Sequence, residues 1–252
     1  MEWYLYIAII VVGFLVGFIN TIAGSGSLLS LPFLIFLGLD ANVANGTNRI
    51  GILMQSISAT SSFKKQKVFE WHESIFLSIP TVIGSIIGAF SAVNLKSETM
   101  EIVIGFLLFV MLLIMLVKPE KWINGRAGKV SEKPSIIQII IFFIIGLYGG
   151  FIQAGVGFFL LAGLVLSAGF DLVKANALKV LIVLLYTPFA LGIFMYNNQV
   201  DYKLGFLLGI GGMIGAWFAA KVSVKKGAKF IRLFLIITIF ISAVKLIIDN
   251  IL

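Results

Sequence analysis

The sequence predicts an all-α polytopic membrane protein with two inverted repeats, each a broken or re-entrant helical hairpin followed by three spanning helices. Three observations lead to this fold class. Of the 252 residues, 60% are hydrophobic and only 12% are charged, about half the charge of a soluble domain. Two long stretches, 3–39 and 135–170, carry no charged residue. The remaining charges cluster in loops that can be assigned to opposite sides of a membrane.

Each charge-free stretch is interrupted by two glycines, Gly24 and Gly26 in the first and Gly155 and Gly157 in the second. One membrane crossing needs about 20 apolar residues. Each stretch is therefore too long for one helix and short for two full ones. We expect two hairpins or broken helices whose glycine tips lie deep in the membrane, as in many transporter substrate sites.

The hydrophobic pattern divides each half of the chain into five segments. Those of the first half are 3–21, 26–38, 44–63, 74–94 and 99–117. Those of the second half are 135–153, 157–169, 174–196, 203–222 and 229–249. The second segment of each half is too short to cross a hydrocarbon core of about 30 Å, whereas the others are long enough. The chain thus divides into a first repeat at 1–118, a basic linker at 119–134 and a second repeat at 135–252.

Lysine and arginine are concentrated in three places: the loop at 63–73, the central linker, and the region 221–232. The positive-inside rule places these three in the cytoplasm. The loops near Lys96 and Lys203 have no basic excess and are expected outside. Both termini then also lie outside, and we expect a multi-pass protein of a bacterial cytoplasmic (inner) membrane.

The two halves resemble each other. A constant shift of 131 residues places Gly38 on Gly169, Asp40 on Asp171, and Ala44-Asn45 on Ala175-Asn176. Corresponding loops fall on opposite sides of the membrane, so the repeats are expected to run in opposite senses. Such repeats place a substrate near the midplane and expose it alternately to each side. This pattern points to transport.

The glycine tips are candidate anion sites. The first N–H groups of a helix lack helical partners and carry the positive end of its dipole, which favours an anion. Ser25 and Ser27 add hydroxyl groups at the first tip. The alternative is that the tip glycines only permit close helix packing.

Polar residues after each hairpin complete the candidate site. Arg49 and Lys179 are ionisable residues inside membrane segments, which are functional candidates by default. Two cations approaching from opposite sides suit an anionic substrate, although both could instead extend to the nearest surface. Asn20 and Gln153 precede the tips and could orient the substrate or tie the hairpin backbones together. The full candidate set is Asn20, Gly24, Ser25, Gly26, Ser27, Asn45, Thr47, Asn48, Arg49, Gln153, Gly155, Gly157, Asn176 and Lys179.

Other chemistry has little support in the sequence. The chain has no cysteine and a single histidine, His72, so we expect no metal site and no cofactor. It has no phosphate-binding loop, nucleophile elbow or paired intramembrane carboxylates, so an enzyme is not expected. The net charge of +8 is explained by the cytoplasmic loops rather than by nucleic-acid binding.

At these residues the chain resembles the TauE/SafE family of sulfite exporters. The resemblance is carried by Gly13 and Gly17, the run from Asn20 to Leu29, Pro32, Gly38, the stretch at 45–49, and the second-half copy at 149–157. It covers nearly the whole chain. One difference is that the family often has three consecutive glycines at the first tip, where Ser25 and Ser27 flank Gly26 here.

The resemblance implies a protein embedded in the lipid bilayer that exports a small sulfur-containing anion, such as sulfite or an organosulfonate. Substrates differ among family members, so the family name does not assign one. A passive anion channel on the same scaffold and uptake of the anion stay open as alternatives. The coupling ion and the oligomeric state, including a homodimer, are likewise left open by the sequence.

Overall fold

The computed structural model describes residues 3–68, 71–116 and 134–251, and within these ranges every regular element is helical. The helices are α1 (Trp3–Ala23), α2 (Ser27–Phe36), α3 (Ala41–Lys65), α4 (Trp71–Val93), α5 (Ser97–Leu116), α6 (Ile136–Phe151), α7 (Val156–Ala162), α8 (Leu172–Tyr196) and α9 (Tyr202–Ile251). A π-helical turn, Gly163–Ser167, continues α7. The all-α polytopic fold is confirmed. The expected linker at 119–134 lies outside the described residues except for Pro134.

Among the described residues, four helical stretches are long and apolar enough to cross a membrane: Trp3–Ala23, Ile75–Val93, Leu172–Tyr196 and Tyr202–Ile231. The second segment of each half is short, as expected, forming Ser27–Phe36 and Val156–Ser167. α6 is shorter than expected, because its 16 residues span only about 24 Å. The segments expected at 203–222 and 229–249 are two helices that meet at a kink at Gly227, whose φ of 69° and ψ of −167° are not helical; α9 denotes the two together.

Both charge-free stretches form broken helices. The chain leaves α1 through Gly24, with φ +76°, and starts α2 at Ser27. It leaves α6 through Gln153 and enters α7 from Gly155, with φ values of 61° and 70°. Glycine adopts positive φ without steric cost, which explains why glycine stands at both breaks.

α3 is long enough to cross a membrane but carries too many polar residues to face lipid. Its polar side chains, among them Asn45, Asn48, Arg49 and Gln55, are buried in the protein. A buried polar group needs partners, and α3 finds them because it packs against α2, α8 and α9. The most polar long helix therefore lies inside the bundle.

Glycines allow two close helix pairs that connect the two halves. On α1, a Cβ at Gly13 or Gly17 would overlap the backbone of α9 at Leu208 or Gly212. On α4, a Cβ at Gly84 would likewise overlap the backbone of α6. The first helix of each half thus packs on the fourth helical segment of the other half. This reciprocal packing is compatible with two repeats, whereas their opposite orientation in the membrane stays a prediction.

The outward faces of α4 and α9 are apolar. Ile79, Ile83 and Ile87 on α4 are about half exposed, as are Ile214 and Phe218 on α9. Their spacing of four residues places each set on one side of its helix. These faces suit contact with lipid.

Candidate functional site

The glycine tips of the two broken helices meet. A Cβ at Gly24 would overlap the backbone of Gly157, and a Cβ at Gly157 would overlap Gly24. The two glycines therefore permit direct backbone contact between the halves at the point where both helices break. The tip glycines thus permit close packing, and polar groups lie on both sides of the contact; their role in anion binding stays a prediction.

Arg49 on α3 binds the end of α6, which belongs to the other half. Its Nη2 donates to the carbonyl of Gly150, and its Nη1 donates to the carbonyl of Gly149 at 3.2 Å and to Gln153 Oε1 at 3.0 Å. The last four carbonyls of a helix lack helical partners and form the negative end of its dipole. The guanidinium therefore caps α6.

The surroundings of Arg49 are tightly filled. The side chain is fully buried, and its guanidinium carbon lies 4.5 Å from the centre of the Phe194 ring. Asn45 accepts from Arg49 Nη2 at 3.4 Å and donates to the carbonyl of Phe151 at 2.8 Å. Only Nε of the guanidinium is without a hydrogen-bond partner in the described part of the chain. Arg49 does not extend to the surface.

Lys179 on α8 makes the matching contact with the end of α1. Its Nζ donates to the carbonyls of Asn20 at 3.1 Å and Thr21 at 2.8 Å, and to Asn176 Oδ1 at 2.6 Å. Lys179 is only 1% exposed, so it does not extend to the surface either. Each half thus supplies one buried cation that caps the broken helix of the other half.

Lys179 borders a small cavity. The cavity has a volume of about 20 Å³, which is room for about one water molecule. It is lined by Asn20, Thr21, Gln55, Ser56, Gly157, Lys179, Val180 and Val183. Three predicted site residues, Asn20, Gly157 and Lys179, therefore share one small cavity beside the tip contact.

The two buried cations have no described carboxylate partner. The hydrogen-bond acceptors of Arg49 and Lys179 are carbonyl and amide oxygens, and no aspartate or glutamate occurs among the buried polar residues of the described ranges. Burying a charge is costly unless it is compensated. Helix-end dipoles compensate in part, and no described side chain supplies a negative counter-charge.

Two further predicted residues lie near the tips with unused polar atoms. Ser25 Oγ and Asn176 Nδ2 are buried and have no hydrogen-bond partner in the described structure. Ser25 follows the tip glycine Gly24, and Asn176 holds Lys179 through its other amide atom. Both groups could bond a ligand without losing an existing partner.

Other predicted residues fix the local structure. Asn48 accepts from Ser30 at 2.6 Å and donates to Ser27 Oγ at 3.3 Å, which ties α2 to α3. Thr47 Oγ1 accepts from the backbone N–H of Asp201 at 2.8 Å, so it binds the connection between α8 and α9 and not the tips. Gly26 and Gly155 directly precede α2 and α7.

Gln55 is a site residue that the sequence analysis missed. It lines the cavity and is 2% exposed, yet neither atom of its amide has a hydrogen-bond partner among the described residues. Gln55 lies seven residues after Asn48, two helical turns along the same face of α3. That spacing from the polar 45–49 stretch was the available signal. Ser56, its neighbour in the cavity wall, was missed as well.

Comparison with known proteins agrees with this architecture. The family model described as "Sulfite exporter TauE/SafE" matches residues 9–246. The chain is 28% identical over 249 residues to "Probable membrane transporter protein ORF9" of Sinorhizobium sp, covering 99% of this chain and 95% of the relative.

Two further relatives carry similar descriptions. "Probable membrane transporter protein" of Haemophilus influenzae is 26% identical, with coverage of 95% and 93%. "Probable membrane transporter protein YfcA" of Escherichia coli K12 is 28% identical, with coverage of 95% and 88%. No solved structure matches the chain. With the family model matching nearly its whole length, the chain belongs to the TauE/SafE family of membrane transporters.

Proposed function

We propose that this protein is a secondary transporter that exports a small anion by alternating access, with its binding site at the Lys179 cavity. One observation carries the proposal: a buried lysine without a described carboxylate partner borders a small cavity, lined by polar and apolar side chains, where two broken helices meet. An anion would supply the compensating charge that the protein itself does not provide there.

The residues divide into two roles in this proposal. Lys179 supplies the charge, and the tip backbone beside Gly157 supplies hydrogen bonds to the anion. Ser25 and Asn176 do not line the cavity in this conformation and add hydrogen bonds when the cavity enlarges. Arg49 adds positive charge from the other side, but four of its five N–H donors serve acceptors that hold the end of α6. We therefore expect Lys179 to contact the anion, and Arg49 to act mainly by holding the second broken helix in place.

Alternating access is supported by the closed tips. The cavity has room for about one water molecule, and an oxyanion of four or more heavy atoms needs more space. Gly24 and Gly157 are in backbone contact, so a change in the position of one broken helix relative to the other would enlarge the cavity. Movement of one repeat against the other is how transporters of this construction operate.

Sulfite is the first substrate to test, followed by organosulfonates. The basis is the description of the family model as a sulfite exporter, since the names of the relatives specify no substrate. The proposal places the protein in a bacterial cytoplasmic membrane with both termini outside, and assigns it no enzymatic activity.

A thermal-shift panel on the purified full-length protein tests the site. Sulfite, methanesulfonate, sulfate and chloride are added to the wild type, to Lys179→Met and to Lys203→Met. Lys203 is an exposed lysine bonded to Tyr6 and serves as the control for loss of one positive charge. We expect sulfite to raise the Tm of the wild type and of Lys203→Met, because a ligand that binds only the folded state stabilises it. An equal shift in Lys179→Met would contradict the assigned site.

A further inference from the structure

Gln55 carries an inference that rests on the anion-transport function proposed above. We propose that Gln55 is the specificity-determining residue of the site and selects a singly charged oxyanion that retains one O–H group. Hydrogensulfite is such an anion, whereas doubly charged sulfite and sulfonates are not.

The amide of Gln55 is buried with its hydrogen-bonding capacity unused. Both Nε2 and Oε1 are without partners in the described structure, although the residue is only 2% exposed. A buried polar group left in this state costs free energy. Exchanging the amide oxygen and nitrogen changes nothing, because both are unpartnered. In either orientation the cavity wall offers one acceptor and an NH₂ donor.

Lys179 has no unused hydrogen-bond donor to offer a ligand, whereas Gln55 has. An ammonium group has three N–H donors, and those of Lys179 already serve Asn20, Thr21 and Asn176. A ligand in the cavity therefore meets Lys179 first as a charge. It can bond Gln55 without breaking any existing contact.

The pairing of a donor with an acceptor defines the ligand. The NH₂ group of Gln55 can donate to an oxyanion oxygen, and Oε1 needs a donor in return. A fully deprotonated oxyanion offers only acceptors and would leave Oε1 unpaired against negative charge. An oxyanion with one O–H satisfies both atoms, and its single charge matches the single lysine of the cavity.

The described residues that line the cavity with Gln55 include one ionisable group. Among the described residues lining the cavity, only Lys179 is ionisable. α9 approaches Gln55 with Gly212, which has no side chain. A pH dependence of binding therefore reflects protonation of either the ligand or Lys179, and a second ligand that does not titrate distinguishes the two causes. Methanesulfonate is singly charged at all relevant pH values and has no O–H, so its binding reports Lys179 alone.

The test is calorimetric titration of the purified full-length protein with sulfite and with methanesulfonate, across the pH range in which sulfite loses its last proton. For the wild type we expect the apparent Kd for total sulfite, relative to that for methanesulfonate, to weaken by about tenfold per pH unit once hydrogensulfite is the minor form. In Gln55→Met, which keeps the length of the side chain but removes the amide, we expect hydrogensulfite to bind about tenfold more weakly, with methanesulfonate little changed.

A ratio of the two Kd values that is independent of pH, or that favours doubly charged sulfite, would overturn the inference. The wild-type series decides this point even if Gln55→Met does not fold. A folded Gln55→Met with the wild-type ratio would also overturn it and would leave Gln55 as the holder of a buried water. If neither sulfite nor methanesulfonate binds at any pH, the result would contradict the proposed transport function as well.

Discussion

The C-terminal ends of α1 and α6 are each capped by a buried cation from the other half, but their surroundings differ. At the end of α6, Arg49 uses four hydrogen bonds and a stacking contact with Phe194 to fill its surroundings. At the end of α1, Lys179 caps two carbonyls in the same way, but a cavity remains beside it, and Gln55 in the wall is unsatisfied. Arg49 Nε and the hydroxyl of Tyr186 beside Gly149 are also buried without partners in the described chain, but the cavity and the unpaired amide lie at the Lys179 end, which we call the incomplete end.

The difference favours a structural role for Arg49 and a ligand-binding role for Lys179, although the two residues lie in corresponding segments of the two halves. A planar guanidinium offers five donors in a fixed arrangement, and four of those of Arg49 are used at the end of α6. A lysine is a compact charge with three donors and leaves space around it. The same sequence signal, one cation in the third segment of each half, therefore has two outcomes. The incomplete end is where a ligand would be stabilised most.

The largest expected effect is on binding at the incomplete end. Lys179→Met should weaken sulfite binding by about 2–5 kcal/mol, because it removes the charge that faces the cavity. Lys203→Met, which removes an exposed lysine, should bind sulfite as the wild type does. Calorimetry on both purified variants measures the difference. Wild-type affinity in a folded Lys179→Met would mean that the two ends are functionally equivalent or that the site lies elsewhere.

Arg49→Met should lower the free energy of unfolding by about 2–4 kcal/mol, because it leaves the carbonyls of Gly149 and Gly150 and the side chain of Gln153 without their donor. Arg49→Lys should recover only part of this loss, because a lysine keeps the positive charge but cannot reproduce the paired N–H donors of the guanidinium. Thermal unfolding in detergent measures both. If Arg49→Met keeps wild-type stability and loses sulfite binding, Arg49 binds the anion directly and the division of roles is wrong.

Alanine substitutions at two glycines distinguish the contribution of the tip contact to stability from the cost of backbone strain. Gly24 and Gly38 both have positive φ, but only at Gly24 would a Cβ overlap a neighbouring backbone. Gly38→Ala should cost about 1 kcal/mol from strain alone. Gly24→Ala should cost about 1–3 kcal/mol more, because the halves must move apart. Equal losses of stability in the two variants would show that the tip contact contributes nothing.

The smallest expected effect is at Ser25. Because Ser25 Oγ is buried without a described partner, Ser25→Ala should leave stability unchanged or slightly raised. It should weaken sulfite binding by about 1 kcal/mol if the hydroxyl bonds the anion. Tm and Kd of the one variant give both values. A clear loss of stability without a change in Kd would assign Ser25 to the structure of the tip.

The sequence supports the broken helices and the buried cations because both depend on local signals. A charge-free stretch of fixed length with a glycine pair predicts a break in a membrane helix, and an ionisable residue within a membrane segment predicts burial. The partners of those cations could not be read in the same way. Arg49 and Gly150 are 101 residues apart, and Lys179 and Thr21 are 158 apart.

Gln55 was missed for a related reason. Its residue type is ordinary for a polar helix face, and what distinguishes it is the lack of a partner in the folded chain. That property depends on how α1, α8 and α9 pack around α3, which single-sequence patterns do not encode. Its spacing from Asn48 indicated only that it shares a helix face with the predicted site.

Counterflow in proteoliposomes tests the central claim most directly. Vesicles containing the purified protein are loaded with unlabelled sulfite and diluted into a trace of radiolabelled sulfite. The account predicts transient accumulation of label above equilibrium for the wild type and for Lys203→Met, because a carrier that alternates between two sides exchanges one anion for another, and no accumulation for Lys179→Met. Simple equilibration without overshoot would indicate a channel, and an overshoot in Lys179→Met equal to that of the wild type would contradict the site itself.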